Sequence, residues 1–407
     1  MQGLIAEPMM PVSSPPRTRG SRFLEQLWRK SGIPAFAGMT VLVAMLAAAA
    51  LATPAHAQVD DNVRIELKFA ADRLDRGKVT GLAHRPSLRE ATLDDPVRIA
   101  SISKLAVGVA VMRLVDKQVL DLDRDVSLYL GWRVAHPQFP AQKITLRLLL
   151  SHQSGLKDDA GYFIPLDASL ADLLARPEAW DAAHAPGAYF RYANVNFPVI
   201  AAVMEAASGK RFDRIMAEEV FDPLAIPACY NWSGCKPGAA KTAITLYNPD
   251  GTIARDDWIG APDQCAYVPA SDGRCDIELY APGKNGSAFS PQGGMRISAG
   301  GLARLGQMLL NGGDGLLTPE SFAELTRAQW RFDGSNGDDD RGYFQAFGLG
   351  VQRIEKPDGS VWIGHPGEAY GLRAGLWVSR ASGEGVVRIS TGNAEDYPIG
   401  HCLDTCP

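Results

Sequence analysis

Between residues 64 and 70 apolar and charged positions alternate, with Ile65, Leu67 and Phe69 apolar and Glu66 and Lys68 charged. A second short apolar stretch follows Gly77, and the period of two predicts a hairpin. From Ser101 to about Val115 the chain reads SISKLAVGVAVMRLV, apolar nearly all round, which predicts a helix in the middle of a fold. Helical patterning recurs between about 120 and 225, at Thr145 to Leu150, Leu170 to Leu174 and Phe197 to Ala207, and returns at Leu302 to Leu310. Strand-like segments close the chain at 347–354, 361–364 with 372–378, and 385–390. Strands at both ends with helices between them predict an α/β fold, one sheet built from both termini with a helical subdomain inserted.

Residues 229–290 break these periods. They are rich in Gly, Pro, Asn and Asp, hold four cysteines, and read as a disulfide-pinned loop excursion. The run 333–342 (DGSNGDDDRG) has the look of a calcium loop, but its twelfth position falls on Phe344 where a glutamate is needed, so a solvated turn is expected.

Composition changes the picture mainly by exclusion. With 46% apolar and 21% charged residues the chain is of ordinary globular make-up, and its 407 residues suit one large α/β fold as well as two or three domains. A net charge of −5 without a basic stripe argues against a nucleic-acid partner. The first 57 residues read as a removable leader: a basic stretch (Arg17, Arg19, Arg22, Arg29, Lys30), an apolar run of 12 residues from Val41 to Ala52, and the small-x-small signal Ala55-His56-Ala57. That run is too short to span a membrane, and no cysteine follows the cleavage site to carry a lipid, so no stable membrane anchor is expected after cleavage. The leader exceeds the usual ~15–30 residues, which points to a start codon downstream of Met1. Export to the periplasm or the medium makes disulfides the expected state of the six cysteines. Sequential pairing (229–235, 265–275, 402–406) is the simplest of the fifteen possible, and spacing alone does not choose. A zinc site competes less well, because no C-x-x-C or clustered histidine accompanies them.

Ser-x-x-Lys occurs three times, at Ser101–Lys104, Ser154–Lys157 and Ser233–Lys236. Only Ser101 opens a buried helix, where free N–H groups favour negative charge on the serine oxygen and Lys104 follows one turn down on the same face. Desolvation there lowers a lysine pKa and fits it to move a proton. The same spacing also suits a helix N-cap serine with a surface lysine. Tyr192-Ala193-Asn194 is the sole Tyr-x-Asn of the chain. A tyrosine with pKa near ~10 is useful as a base only beside a cation such as Lys104. His365-Pro366-Gly367 follows the strand-like Val361 to Ile363, and a small residue beside a polar one on an inner strand lets a substrate backbone approach. Gly-x-Ser-x-Gly and His-Glu-x-x-His are absent from the sequence.

In the order Ser-x-x-Lys, Tyr-x-Asn, His-x-Gly, with first members 91 and 173 residues apart, the set resembles the serine β-lactamase-related family, the group of class C β-lactamases, DD-peptidases and family VIII esterases. RIASISK, LLLSHQSGL at 148–156, PGAYFRYAN at 186–194, GGMRISAGGLARLGQMLLNGG at 293–313 and GHPGEAYG at 364–371 add to the likeness, which runs from about 95 to 392. The resemblance implies a β-lactamase/transpeptidase-like fold, an antiparallel sheet from both ends of the chain with flanking helices, beside an inserted all-helical subdomain. It implies one catalytic domain over 58–407, with about 120–290 inserted, after a leader at 1–57. It also implies Ser101 as nucleophile, Lys104 as its proton partner, Tyr192 as general base, Asn194 on the substrate carbonyl and His365 lining the cleft. The N–H groups of Ser101 and Glu368, the latter just past Gly367, would form the oxyanion hole.

One departure bears on substrate. Typical β-lactamases of this class carry Lys-Thr-Gly where this chain has His365-Pro366-Gly367, so a fixed positive charge and a hydroxyl that would grip a carboxylate are lost, and Glu368 adds a negative charge. Arg373 is a nearby residue whose charge would compensate. The reading is an exported serine hydrolase without cofactor or metal, acting on small esters, peptide-like amides or cell-wall-type peptides. A true β-lactamase and a non-catalytic sensor or scaffold are the alternatives.

Overall fold

The protein's computed structural model describes residues 61–256 and 265–392. The expected leader and the 402–406 cysteine pair lie outside the described residues. Strands β1 (Arg64–Ala70) and β2 (Lys78–Thr80) come from the N-terminal side, and β3 (Trp330–Arg331), β4 (Ala346–Phe347), β5 (Gln352–Glu355), β6 (Val361–Ala369), β7 (Leu372–Ser379) and β8 (Glu384–Thr391) from the C-terminal side. They form one antiparallel sheet in the order β3-β4-β5-β6-β7-β8-β1-β2. The N-terminal and C-terminal strands of the described residues meet where β1 pairs β8, with Ile65 opposite Ile389 and Leu67 opposite Val387. This is the sheet the alternation predicts.

The odd-numbered face of β1 is buried under a helix, because Ile65, Leu67 and Phe69 need apolar cover. Of the long helices, α1 (Ser103–Asp116), α2 (Asn196–Ser208) and α3 (Ala299–Leu310), it is α3 that lies across β1, β7 and β8. Ser298 starts α3 by accepting from Gly301 N at 3.1 Å. Gly306 is where the helix meets the sheet, since a Cβ there would fall 2.3 Å from Cζ of Phe69. The opposite face holds a smaller cluster of Ile354, Trp362, Trp377 and Val386. Helix α1 is buried along most of its length, as a sequence apolar all round requires. The short helices Leu146–Leu150 and Leu170–Leu174 stand where patterning put them, capped by the side chains of Thr145 and Ser169.

Three details differ from the pattern reading. The segment 347–354 is not one strand: Gly348-Leu349-Gly350 turns the chain so that Phe347 on β4 pairs Gln352 on β5. Strand β6 does not stop before the His-Pro-Gly motif but carries it, to Ala369. Proline is tolerated there because pairing with β5 ends at Gly364, so beyond it β6 keeps only β7 as a strand neighbour. The 229–290 excursion also opens with a strand, Cys229–Tyr230, which joins Met295–Ile297 and Val97–Arg98 in a small sheet leading into the nucleophile segment. Within the excursion, Cys229–Cys235 and Cys265–Cys275 are bonded, two of the three sequential pairs.

Candidate active site

Ser101 sits in a single 3-10 turn, Ala100–Ile102, immediately ahead of α1. Ala100 has φ 47°, a left-handed conformation that is costly for a residue with a Cβ, and it directs the following serine out of the small sheet into the cleft. The turn is fastened by Ser103, whose Oγ donates to Ala100 O at 2.7 Å and accepts from Met295 N at 3.1 Å. Tyr230 holds the start of α1 by donating its hydroxyl to Ser103 O at 3.0 Å.

Lys104 is 0% exposed, which removes the surface-lysine alternative. Its Nζ lies 2.9 Å from each of Ser101 Oγ, Asn194 Oδ1 and Gln292 O. Burial lowers its pKa to about 7, with the nearby Asp158 carboxylate acting the other way. A neutral amine fits these three partners: it donates to the two carbonyl oxygens and accepts from the serine hydroxyl.

Tyr192 stacks on His152, ring centroids 4.4 Å apart, and Lys104 Nζ is 4.9 Å from the tyrosine ring centre. Its phenol is not depressed by the lysine as the sequence reading expects. Burial raises it above its ordinary 10, and the adjacent Ser101 hydroxyl offsets this only in part. The protonated phenol is therefore the resting form. Asn194 is locked by Asp158, whose Oδ2 accepts from Asn194 N at 3.0 Å and Nδ2 at 2.9 Å while Oδ1 accepts from Val195 N at 2.9 Å.

His365 is buried with Nδ1 2.6 Å from Pro366 O, and burial holds its pKa at about 3, so the ring is neutral. The bond to a carbonyl assigns the proton to Nδ1, which leaves Nε2 an acceptor with no partner. Gly367 packs on the nucleophile segment so closely that a Cβ would fall 2.2 Å from Ile99 O. Glu368 is on the rim, 3.4 Å from Arg373 across the β6–β7 pair. Ser101, Tyr192, Asn194, His365, Gly367 and Glu368 thus line one cleft of about 490 Å³, with Lys104 beneath the serine. The two other Ser-x-x-Lys matches have structural work: Ser154 Oγ donates to Asn196 Oδ1 at 2.6 Å and Ser233 Oγ to Asp213 Oδ2 at 2.8 Å.

The family model described as Beta-lactamase matches residues 68–400. The chain belongs to the Beta-lactamase family. Esterase EstB of Burkholderia gladioli is 27% identical over 344 residues, 77% of this chain and 81% of that protein. The D-alanyl-D-alanine-carboxypeptidase/endopeptidase AmpH of Escherichia coli K12 is 26% identical over 216 residues, 50% of this chain and 48% of AmpH. The chain spans about a third to a half of the length of several curated relatives it matches. Among solved structures, "EstCE1, a hydrolase with promiscuous acyltransferase activity" superposes with TM-score 0.64 at 21% identity, covering 83% of this chain and 92% of that one. At that identity the superposition establishes the β-lactamase-like fold and nothing finer.

Four residues in or behind this β-lactamase-family cleft were given no role by the sequence motifs. His152 accepts from Ala193 N at 3.1 Å and supports the Tyr192 ring, while Asp158 fixes Asn194. Gln292 supplies a carbonyl to Lys104, and Arg98 forms part of the wall. The SHQSGLKDD run holds His152 and Asp158 with a spacing of six, which fits no catalytic pattern, so only their meeting with Tyr192-Ala193-Asn194 reveals their use.

Proposed function

We propose that the protein is an exported serine hydrolase that forms an acyl-enzyme on Ser101 and acts on small esters or peptide-like amides. The observation that carries this reading is the buried Lys104 amine, 2.9 Å from Ser101 Oγ. As Oγ attacks the carbonyl carbon, the hydroxyl proton passes to the neutral amine. The oxyanion would be met by the N–H groups of Ser101 and Glu368, which the tight seat of Gly367 against Ile99 draws toward one another. Collapse of the tetrahedral adduct expels the leaving group, protonated by the Tyr192 phenol, which regains a proton from Lys104. Water, deprotonated by the same pair, then releases the acid and restores Ser101. Tyr192 is thus the proton donor to the leaving group, and Lys104 takes the role of base that the family resemblance gave to tyrosine.

The names of EstB and AmpH support esters and D-alanyl peptides as substrate classes. Two disulfides and the leader pattern support export to the periplasm or beyond. One hydrophobic cluster joining β1 to α1, α2 and α3 supports a single catalytic domain over 58–407. The test is intact mass after a fluorophosphonate probe. Stoichiometric labelling that Ser101→Ala abolishes is expected, whereas Ser154→Ala and Ser233→Ala proteins should label fully. An unlabelled wild-type protein would return the sensor or scaffold reading to first place.

A further inference from the structure

At one end of the cleft a buried guanidinium keeps two nitrogens without a partner. Arg98 is 3% exposed and forms part of the cleft wall, yet its Nε and Nη1 have no hydrogen-bond partner. Its guanidinium carbon lies 4.9 Å from the centre of the Tyr370 ring, which Arg255 approaches at 5.5 Å. Arg296, buried beside it, is already satisfied at one edge, donating to Asn231 Oδ1 at 2.6 Å, Gly294 O at 2.7 Å and Asp256 Oδ1 at 2.7 Å. Trp232 Nε1 shares that same Asp256 oxygen at 3.2 Å, and Asp256 Oδ2 has no partner, so the carboxylate contributes its field to Arg98 but no bond. Among the described residues the buried cluster therefore sets two guanidiniums against one carboxylate. Leaving a buried charge unpaired is strongly unfavourable, and a site that keeps one is short of an anion.

The fold says which part of a substrate meets it. Along β6, His365 abuts Tyr192, ring centroids 6.1 Å apart, while Tyr370, just past the other end, abuts Arg98. Ser101 and Gly367 lie between. The leaving group belongs with the Tyr192 phenol, so the acyl group extends toward Arg98.

The geometry points to Arg98 as a specificity residue that receives a carboxylate on the acyl part of the substrate, so that the preferred substrates are half esters or half amides of dicarboxylic acids. This rests on the acyl-enzyme reading above. Burial and the Arg296 charge lower Arg98 to about 9, which leaves it cationic at neutral pH. The site is distinct from the grip on a leaving-group carboxylate that a Lys-Thr-Gly motif would supply, because it lies at the opposite end of the cleft.

Two 4-nitrophenyl esters that differ only in charge test the assignment: mono-4-nitrophenyl adipate and its methyl ester. Wild-type kcat/KM should favour the charged ester by about 10- to 100-fold, the size of one hydrogen bond to an ionised group. In Arg98→Met the ratio should fall to about one or below, and Arg98→Lys should keep part of it because the charge remains. Arg98→Met should also melt at or above the wild-type temperature, since it removes an unpaired buried charge; a scaffold arginine would give the reverse. In Ser101→Ala, where no acyl transfer occurs, monomethyl adipate should raise the melting temperature more than dimethyl adipate does, and adding Arg98→Met should abolish the difference. Equal rates for the two esters in wild type, a ratio that survives Arg98→Met, or an Arg98→Met protein that melts well below wild type or fails to fold each overturns the proposal. A wild-type enzyme that labels and turns over both esters alike sinks only this inference. A wild-type protein that neither labels nor hydrolyses sinks the hydrolase reading, and the Ser101→Ala melting shifts then decide whether the carboxylate site stands without it.

Discussion

The two ends of the cleft solve opposite electrostatic problems. Around Tyr192 and His365 three buried groups are driven toward their neutral forms: Lys104 to about 7, His365 to about 3, and the Tyr192 phenol upward. Around Arg98 the burial is just as deep, yet its guanidinium stays charged at neutral pH, beside an Arg296 that already holds the one buried carboxylate. Proton transfer is served by groups whose charged and neutral forms lie close in energy at working pH. Recognition is served by a charge that does not titrate away. Desolvation does the first job for a lysine and cannot do it for an arginine, whose ordinary pKa is too high. The difference between the ends is thus a difference of residue type under the same burial.

The largest effects should come from the neutral end. Lys104→Met removes the proton acceptor, and loss of a general base typically lowers the rate ~10²–10⁴-fold. The fall should appear in kcat for esters and amides alike, and the wild-type acidic limb near pH 7 should vanish. A Lys104→Met enzyme that keeps that limb would show that another group takes the serine proton.

Tyr192→Phe should divide substrates by leaving group. An amide or alkyl ester needs the phenol proton, so kcat should fall by a similar ~10²–10⁴-fold. 4-Nitrophenolate leaves without protonation, and there the loss should stay within about tenfold. Equal losses on both substrates would mean that the tyrosine acts before the leaving group does, as a base. A smaller contrast concerns carboxylates at this end, where His365 is neutral and offers no charge to grip one. A cephalosporin, which carries its carboxylate on the leaving side, should be turned over at least about tenfold less efficiently than 4-nitrophenyl butyrate, the scale of one missing charged hydrogen bond. A cephalosporin with the higher kcat/KM would revive the β-lactamase reading.

How much of this was legible in the sequence depends on range. The alternation at Ile65, Leu67 and Phe69 and the nearly all-apolar α1 were enough to place a strand of the sheet and the central helix, because each is a local period. Ser101, Lys104, Tyr192, Asn194, His365, Gly367 and Glu368 were named from motifs that carry them in order, and the structure draws them together in and beneath one cleft. The true length of β6 was hidden, because a proline inside a strand is decided by which edge is free, a property of the sheet. The rise of the Tyr192 phenol was hidden, because sequence shows the neighbouring lysine but not the depth of burial that raises the tyrosine. Arg98 drew no notice beyond its place in RIASISK, since its missing partners show only once Asp256, Arg296 and Tyr370 surround it.

The mildest test reaches the neutral end through Asp158, which touches no substrate. Its carboxylate aligns Asn194 by two hydrogen bonds, with a third to Val195 N, and raises the pKa of Lys104 against the larger lowering by burial. Asp158→Asn keeps the shape but deletes the charge, and its amide has one acceptor oxygen where the carboxylate has two. The loss of alignment should lower kcat several-fold above pH 8, where Lys104 is neutral in both proteins. The loss of charge acts in the opposite sense. Without the carboxylate the ammonium form is less favoured, so the Lys104 pKa falls further below about 7 and the acidic limb of kcat/KM moves to lower pH. The deficit at pH 8 should therefore narrow, or reverse, near pH 6. A limb that moves upward would mean that the titrating group does not respond to the lost carboxylate, because removing a negative charge lowers the pKa of any neighbouring group. A limb that stays in place, with activity lowered equally at every pH, would confine Asp158 to holding Asn194 and leave burial alone to set the lysine.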